Sequence, residues 1–167
     1  VSSCIFLFSL PYLGDAKRLK FALCLIASIL FHYSAIVLIP LLMLGNKDLS
    51  RYWRFLLVIL PITMYVFPFA GMDVLKLVPI PFLQQKLQMY EDLMVYEGGV
   101  WADINIYNVV ALARLFAYYV LVWKYDYLKD KYPYMPIMLK IFCYSICMYV
   151  GFSFLPPVAM RIEEFIA

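Results

Sequence analysis

Three side chains in this sequence carry chemistry that their apolar surroundings do not. His32, the sole histidine, lies in Ala27-Ser28-Ile29-Leu30-Phe31-His32-Tyr33-Ser34-Ala35. Arg114 lies in Ala111-Leu112-Ala113-Arg114-Leu115, and Arg161 follows Pro156-Pro157 in Val158-Ala159-Met160-Arg161-Ile162. An imidazole with an unperturbed pKa near about 6.5 can take a proton from a hydroxyl, and a guanidinium offers phosphate oxygens a planar two-point contact. Each residue also has a plainer reading. His32 can join helices through a hydroxyl such as Ser28, one turn earlier. Arg114 can snorkel or bond a carbonyl or a hydroxyl such as Tyr107 or Tyr118. Arg161 can pair with a nearby glutamate, an exposed contact that contributes little stability.

The elements that must position these groups are apolar throughout. Hydrophobic residues make up 66% of the chain and aromatics 19%, with a mean hydropathy of +0.84, which places it among integral membrane proteins. The run 21–44 contains no charged residue and is long enough to cross a bilayer as one helix. Spans are likewise expected over 55–72, 104–123 and 137–157, separated by charged connectors. The stretch 4–13 is too short to span and reads as the tail of a truncated helix, with no basic segment before it to suggest a signal peptide. The expected fold is an all-α polytopic transmembrane bundle in residues 1–167, one domain and a fragment of a larger protein, with about four full spans and a truncated first one.

Charge decides the orientation poorly. Segments 45–54 and 124–136 are expected to share one side, with Lys17, Arg18, Lys20, Lys76, Lys86 and Arg161 on the other. Placing 45–54 and 124–136 inside leaves 73–103 outside. There Leu83, Leu87, Tyr90 and Met94 recur at helical spacing and Gly98-Gly99 would end a helix. An interfacial amphipathic helix and a substrate lid both fit that pattern. Cys4, Cys24, Cys143 and Cys147 fall in apolar segments and read as small fillers. No ligand spacing suggests a metal, and no glycine-rich phosphate loop, nucleophile elbow or basic-aromatic stripe is present, so neither a cofactor nor a nucleic-acid partner is expected.

The string from Lys20-Phe21-Ala22 through Phe31-His32-Tyr33-Ser34-Ala35 to Pro40 resembles the Ala-x-x-Phe-His-x-Ser-Ala-x-x-x-x-x-Pro signature of the EpsG family of Wzy-like polysaccharide polymerases. The later order is similar too: a span, an outer segment with Lys86 and Tyr90, two more spans, then Met160-Arg161-Ile162. The upstream arginine-bearing segment usual in such polymerases is not in this sequence. The resemblance implies a multi-pass protein of the bacterial cytoplasmic membrane that joins undecaprenyl-diphosphate-linked oligosaccharides at the outer face. A flippase and a chain-length regulator of the same pathway would be its partners.

Under that resemblance, His32 would accept the acceptor hydroxyl's proton. Arg161, then Arg114, would neutralise the departing diphosphate. Lys17 and Arg18 would hold diphosphate at the outer mouth, unless they form a solvated loop, and Tyr90 and Trp101 would offer flat faces to sugar rings. Depth opposes the assignment of His32: a straight helix from Lys20 puts it about 18 Å from that end. A lipid-linked saccharide flippase, a membrane O-acyltransferase and a purely structural subunit remain open as other classes.

Overall fold

The computed structural model describes residues 2–69 and 105–153, with Gln84, Gln85, Gln88, Met89 and Asp92. All regular structure among the described residues is helical. Helix α1 spans Ser2–Gly14 and α2 spans Arg18–Phe31. A 3₁₀ helix follows over Tyr33–Met43, then α3 over Arg51–Phe69. Helix α4 is Val109–Trp123, α5 is Tyr125–Leu128 and α6 is Met135–Gly151. The expected helix near 83–94 is met at its five described positions, all helical and exposed. The rest of 73–103 lies outside the described residues.

The expected polytopic transmembrane bundle is overturned: among the described residues no helix is long and apolar enough to cross a membrane. The main reason is the backbone at His32. Its φ of −155° and ψ of 109° are extended, so α2 stops at Phe31 and the apolar run 21–44 becomes two arms instead of one span. Hydropathy counts apolar length and does not register where a chain turns. Elsewhere the ends close in. The Asn108 side chain accepts the Ala111 N–H at 2.8 Å and starts α4 at Val109, leaving 15 residues where 104–123 was expected. Helix α3 has 19 residues but includes Arg51, Arg54, Pro61 and Pro68.

The two arms form a hairpin with His32 at its tip. The 14 residues of α2 rise about 21 Å and the 11 of the 3₁₀ helix about 22 Å, so the chain returns to the level it left. Side-chain contacts agree. Tyr134 O–H donates to Asp15 Oδ1 at 2.8 Å, before the first arm, and Asn46 Nδ2 donates to the Pro133 carbonyl at 2.9 Å, after the second. A 3₁₀ run of this length is unusual. It is pinned to α6 by Tyr144 O–H on the Val37 carbonyl and by Lys140 Nζ, 2.6 Å from the Gly45 carbonyl and 3.2 Å from that of Lys47.

Helix α6 joins the two halves of the core. Its Ile137 and Ile141 pack with Phe6, Phe21, Leu25, Leu38 and Leu41 of α1 and the hairpin. Its opposite face sends Leu139, Cys143, Ile146, Cys147 and Val150 against Leu57, Tyr65 and Tyr118 of α3 and α4. Cys143 and Cys147 are buried in this core as free thiols, in keeping with a filler role. Tyr118 donates to the Leu57 carbonyl at 2.8 Å and is thus committed to the α3 backbone.

The hairpin also changes the sidedness read from charge. Segments 45–54 and 124–136 do share one end, but the turn 15–17 with Lys17, Arg18 and Lys20 joins them there through Asp15 and Tyr134 instead of lying opposite. A polar clasp closes this basic end. Arg54 makes two bonds of 2.7 Å to Asp126, Lys129 approaches the same carboxylate at 3.6 Å, and Arg54 covers the Tyr125 ring at 5.0 Å. The Arg54 bonds hold the Asp126 carboxyl below its ordinary value of 3.8. A lowered folded-state pKa contributes stability that is present above pH about 4 and is lost as pH falls through the folded value. Thermal unfolding of the full-length protein in detergent should therefore shift downward between pH 5 and pH 2, and Asp126→Asn should remove part of that slope while lowering stability at pH 7. An unchanged acid profile in Asp126→Asn would show that the clasp is not formed.

Candidate functional site

A cavity of about 490 Å³ is lined by residues of α1, α3, α4 and α6. Its walls are mostly apolar, with Phe6 and Leu10 from α1 and Met138 and Ile141 from α6. Its polar lining comes from Arg114 of α4, Tyr65 of α3 and Ser145 and Tyr149 of α6. The sequence builds this lining simply. Met138, Phe142, Ser145 and Tyr149 follow one another at three- and four-residue steps and therefore share a face of α6. Ala111, buried one turn before Arg114, leaves room beside the guanidinium. Tyr107 O–H donates to the Tyr65 carbonyl at 2.9 Å, and the two rings meet edge to face at 6.1 Å, fixing the far end of α3 against the start of α4.

Arg114 is half-buried, and its charge reaches the Tyr65 hydroxyl. It lies in the second turn of α4, about 8 Å from the start of that helix, which is shallower than the span 104–123 had implied. A trough of apolar side chains with one guanidinium and several hydroxyls in its lining suits an amphiphile whose tail is hydrocarbon and whose head is an anion.

His32 stands at the hairpin tip, about 21 Å along α2 from the basic end, and does not line this cavity. Its N–H donates to the Ser28 carbonyl at 2.9 Å, its own carbonyl accepts from Ala35 N–H at 3.0 Å, and its Nε2 is sheltered from solvent. The break at this residue puts His32 at a turn between two arms instead of midway along a single span. The signature residues around it therefore mark a bend in the backbone.

Lys17 and Arg18 lie elsewhere. Lys17 Nζ pairs with Asp15 at 2.9 Å, and Arg18 is the exposed first residue of α2, both at the basic end and neither lining the cavity. The Lys17 bond, then that of Tyr134, holds the Asp15 carboxyl below its ordinary range, while the same carboxylate raises Lys17. Arg161, Tyr90 and Trp101 fall outside the described residues. The sequence reading missed Tyr65, Ser145 and Tyr149; the helical stripe on α6 was the available signal for the last two. No group of three His, Cys, Asp or Glu side chains suited to a metal occurs among the described residues.

No match to the chain was found among curated proteins or among solved structures. The EpsG family model matches residues 1–167, and the chain belongs to this exopolysaccharide-biosynthesis family, whose members are generally membrane-associated.

Proposed function

We propose that the chain forms part of a polysaccharide polymerase of the bacterial cytoplasmic membrane, catalysing glycosyl transfer between undecaprenyl-diphosphate-linked oligosaccharides at the outer face. The observation that carries this reading is Arg114, which lines a mostly apolar trough together with Tyr65, Ser145 and Tyr149. Membership of the EpsG family supports it. A polyprenyl diphosphate has the two parts such a trough accommodates, a hydrocarbon chain and a multiply charged head.

In the reaction, an acceptor sugar hydroxyl attacks the anomeric carbon of the donor unit. A new glycosidic C–O bond forms, and the bond from that carbon to the diphosphate oxygen breaks. Negative charge then gathers on the leaving diphosphate, where a guanidinium lowers the barrier most, because its interaction is stronger in the transition state than before it. Arg114 takes that role, with Arg161 a second cation proposed from the sequence alone. The role of proton acceptor for that hydroxyl is given to His32 on its sequence signature alone, since it stands at the hairpin tip and does not line the Arg114 cavity. Tyr90 and Trp101 are candidate sugar-stacking residues on the same sequence grounds. A flippase that delivers the lipid-linked units and a chain-length regulator would be partners.

The test is a gel profile of surface polysaccharide from cells whose full-length protein carries His32→Ala, with its membrane level confirmed. Loss of long chains while single repeat units are still exported is the expected result. Normal chain lengths would remove His32 from the chemistry. Absence of even single exported units would replace polymerisation with transport of the lipid-linked saccharide.

A further inference from the structure

A second cavity, of about 210 Å³, is lined by residues of the 3₁₀ arm, α3 and α6 and shares none of them with the Arg114 cavity. Among apolar side chains such as Leu41, Leu57 and Leu60 it presents Lys140, Cys143 and Cys147 of α6. Steps of three and four residues put these on one face of the helix. Both thiols are buried, and each lies within hydrogen-bonding reach of the other, while the Tyr118 hydroxyl reaches Cys143 as well. A filler role accounts for the burial of each sulfur, but not for two of them meeting one turn apart on a cavity wall. Lys140 adds a charge to that wall. Its Nζ donates to the Gly45 and Lys47 carbonyls and lies 5.1 Å from the centre of the Trp53 ring. Carbonyl dipoles and a ring face hold the ammonium in place without cancelling its charge.

We infer that Cys143 and Cys147 form a two-coordinate site for a soft monovalent cation of the copper(I) class. Soft sulfur ligands select such ions, and a pair of them is enough, whereas a structural zinc site needs a tetrahedral set. A pair is also what the described residues offer, since no group of three metal-binding side chains occurs among them. On binding, the S–H bond of each cysteine breaks, two sulfur–metal bonds form and two protons leave for the solvent. Two neutral thiols thereby become a complex with one net negative charge. Such a charge is costly in an apolar cavity unless a partner compensates it. Lys140, one turn before Cys143 on the same face, supplies that partner. The bound ion would tie a turn of α6 where this helix packs against Leu57 of α3 and Tyr118 of α4, so occupancy stiffens the core between them. The inference rests on the second cavity only and stands apart from the glycosyl-transfer reading.

Silver(I) nitrate in chloride-free buffer is the probe, added to the purified full-length protein in detergent. A wash with a monothiol removes ions held by one sulfur, and native mass spectrometry counts those retained. The unaltered protein should keep one ion more than Cys143→Ser, Cys147→Ser or the double variant, and these three should be alike, because one thiol cannot complete the pair. Equal retention in all four proteins would overturn the inference. So would a double variant that loses two ions where each single variant loses one, the pattern of two independent thiols. Peptide-resolved alkylation of the unaltered protein keeps the test decisive if the variants do not fold. The retained ion should protect Cys143 and Cys147 together while Cys4, which is exposed, stays reactive. Protection of one of the pair without the other, or of neither, would overturn the site.

Discussion

Arg114→Gln is expected to abolish long polysaccharide chains while leaving the protein folded and single repeat units exported. Glutamine keeps a side chain of similar reach, retains hydrogen-bonding capacity and is a good helix former, so α4 should persist with its Asn108 cap in place. What disappears is the positive charge that lines the cavity together with Tyr65, Ser145 and Tyr149. Removing one preorganised donor to a developing oxyanion typically costs about 10²–10³ in rate, and a loss of that size is expected here. Arg114→Lys should fall between the two, since it keeps the charge but loses the planar fork that matches two phosphate oxygens at once. The measurement is the chain-length profile at matched membrane levels of the three proteins, with thermal unfolding of each as the control for folding. Chains of normal length in Arg114→Gln would mean that the guanidinium serves only packing, and an equal loss in Arg114→Lys and Arg114→Gln would mean that the fork, not the charge, is what the substrate requires.

The sequence made the helical character and the family legible, because both rest on local patterns: apolar runs, charged connectors and the Phe-His-x-Ser-Ala string around His32. It also brought segments 45–54 and 124–136 to one end, where Asn46, Leu49 and Arg54 bond to Pro133, Tyr125 and Asp126. The polytopic bundle was not borne out, and the cause is specific. A run with no charged residue between 21 and 44 reads as one span by composition, yet the extended φ and ψ at His32 turn it into two arms. That dihedral choice depends on what the second arm meets on α6, namely Tyr144 at Val37 and Lys140 at Gly45. Partners more than ninety residues away leave no trace in a local window. The same holds for Lys17 and Arg18, which changed ends once the hairpin reversed the chain. Arg114 was legible as an ionisable group in an apolar helix, whereas its neighbours Tyr65 and Tyr149 come from two other helices and were hidden among the many tyrosines of the chain.

Phe21→Ala is expected to be the most destabilising single truncation in the first half of the chain, at about 3–5 kcal/mol. Phe21 is fully buried at the point where α1, α2, the 3₁₀ arm and α6 converge, and it meets the Phe6 ring at 6.4 Å in an edge-to-face pair. Its removal leaves a void lined by side chains from four separate elements. These cannot all move inward, since α6 is also held by its opposite face against α3 and α4, so collapse of the site is limited and the cost stays near the top of the range. The hairpin should loosen at its base, and because His32 joins the two arms, its position should become less defined and polymer formation should fall together with stability. Leu30→Ala is the informative contrast. Leu30 lies on the same helix two residues before the tip but is 83% exposed, so its truncation should change stability by less than about 0.5 kcal/mol. Thermal and denaturant unfolding of the purified full-length variants reads the difference directly. Were α2 simply the first part of a straight apolar span, the two truncations would differ little. A small effect of Phe21→Ala, equal to that of Leu30→Ala, would therefore refute the folded-back hairpin and return His32 to the middle of a continuous helix.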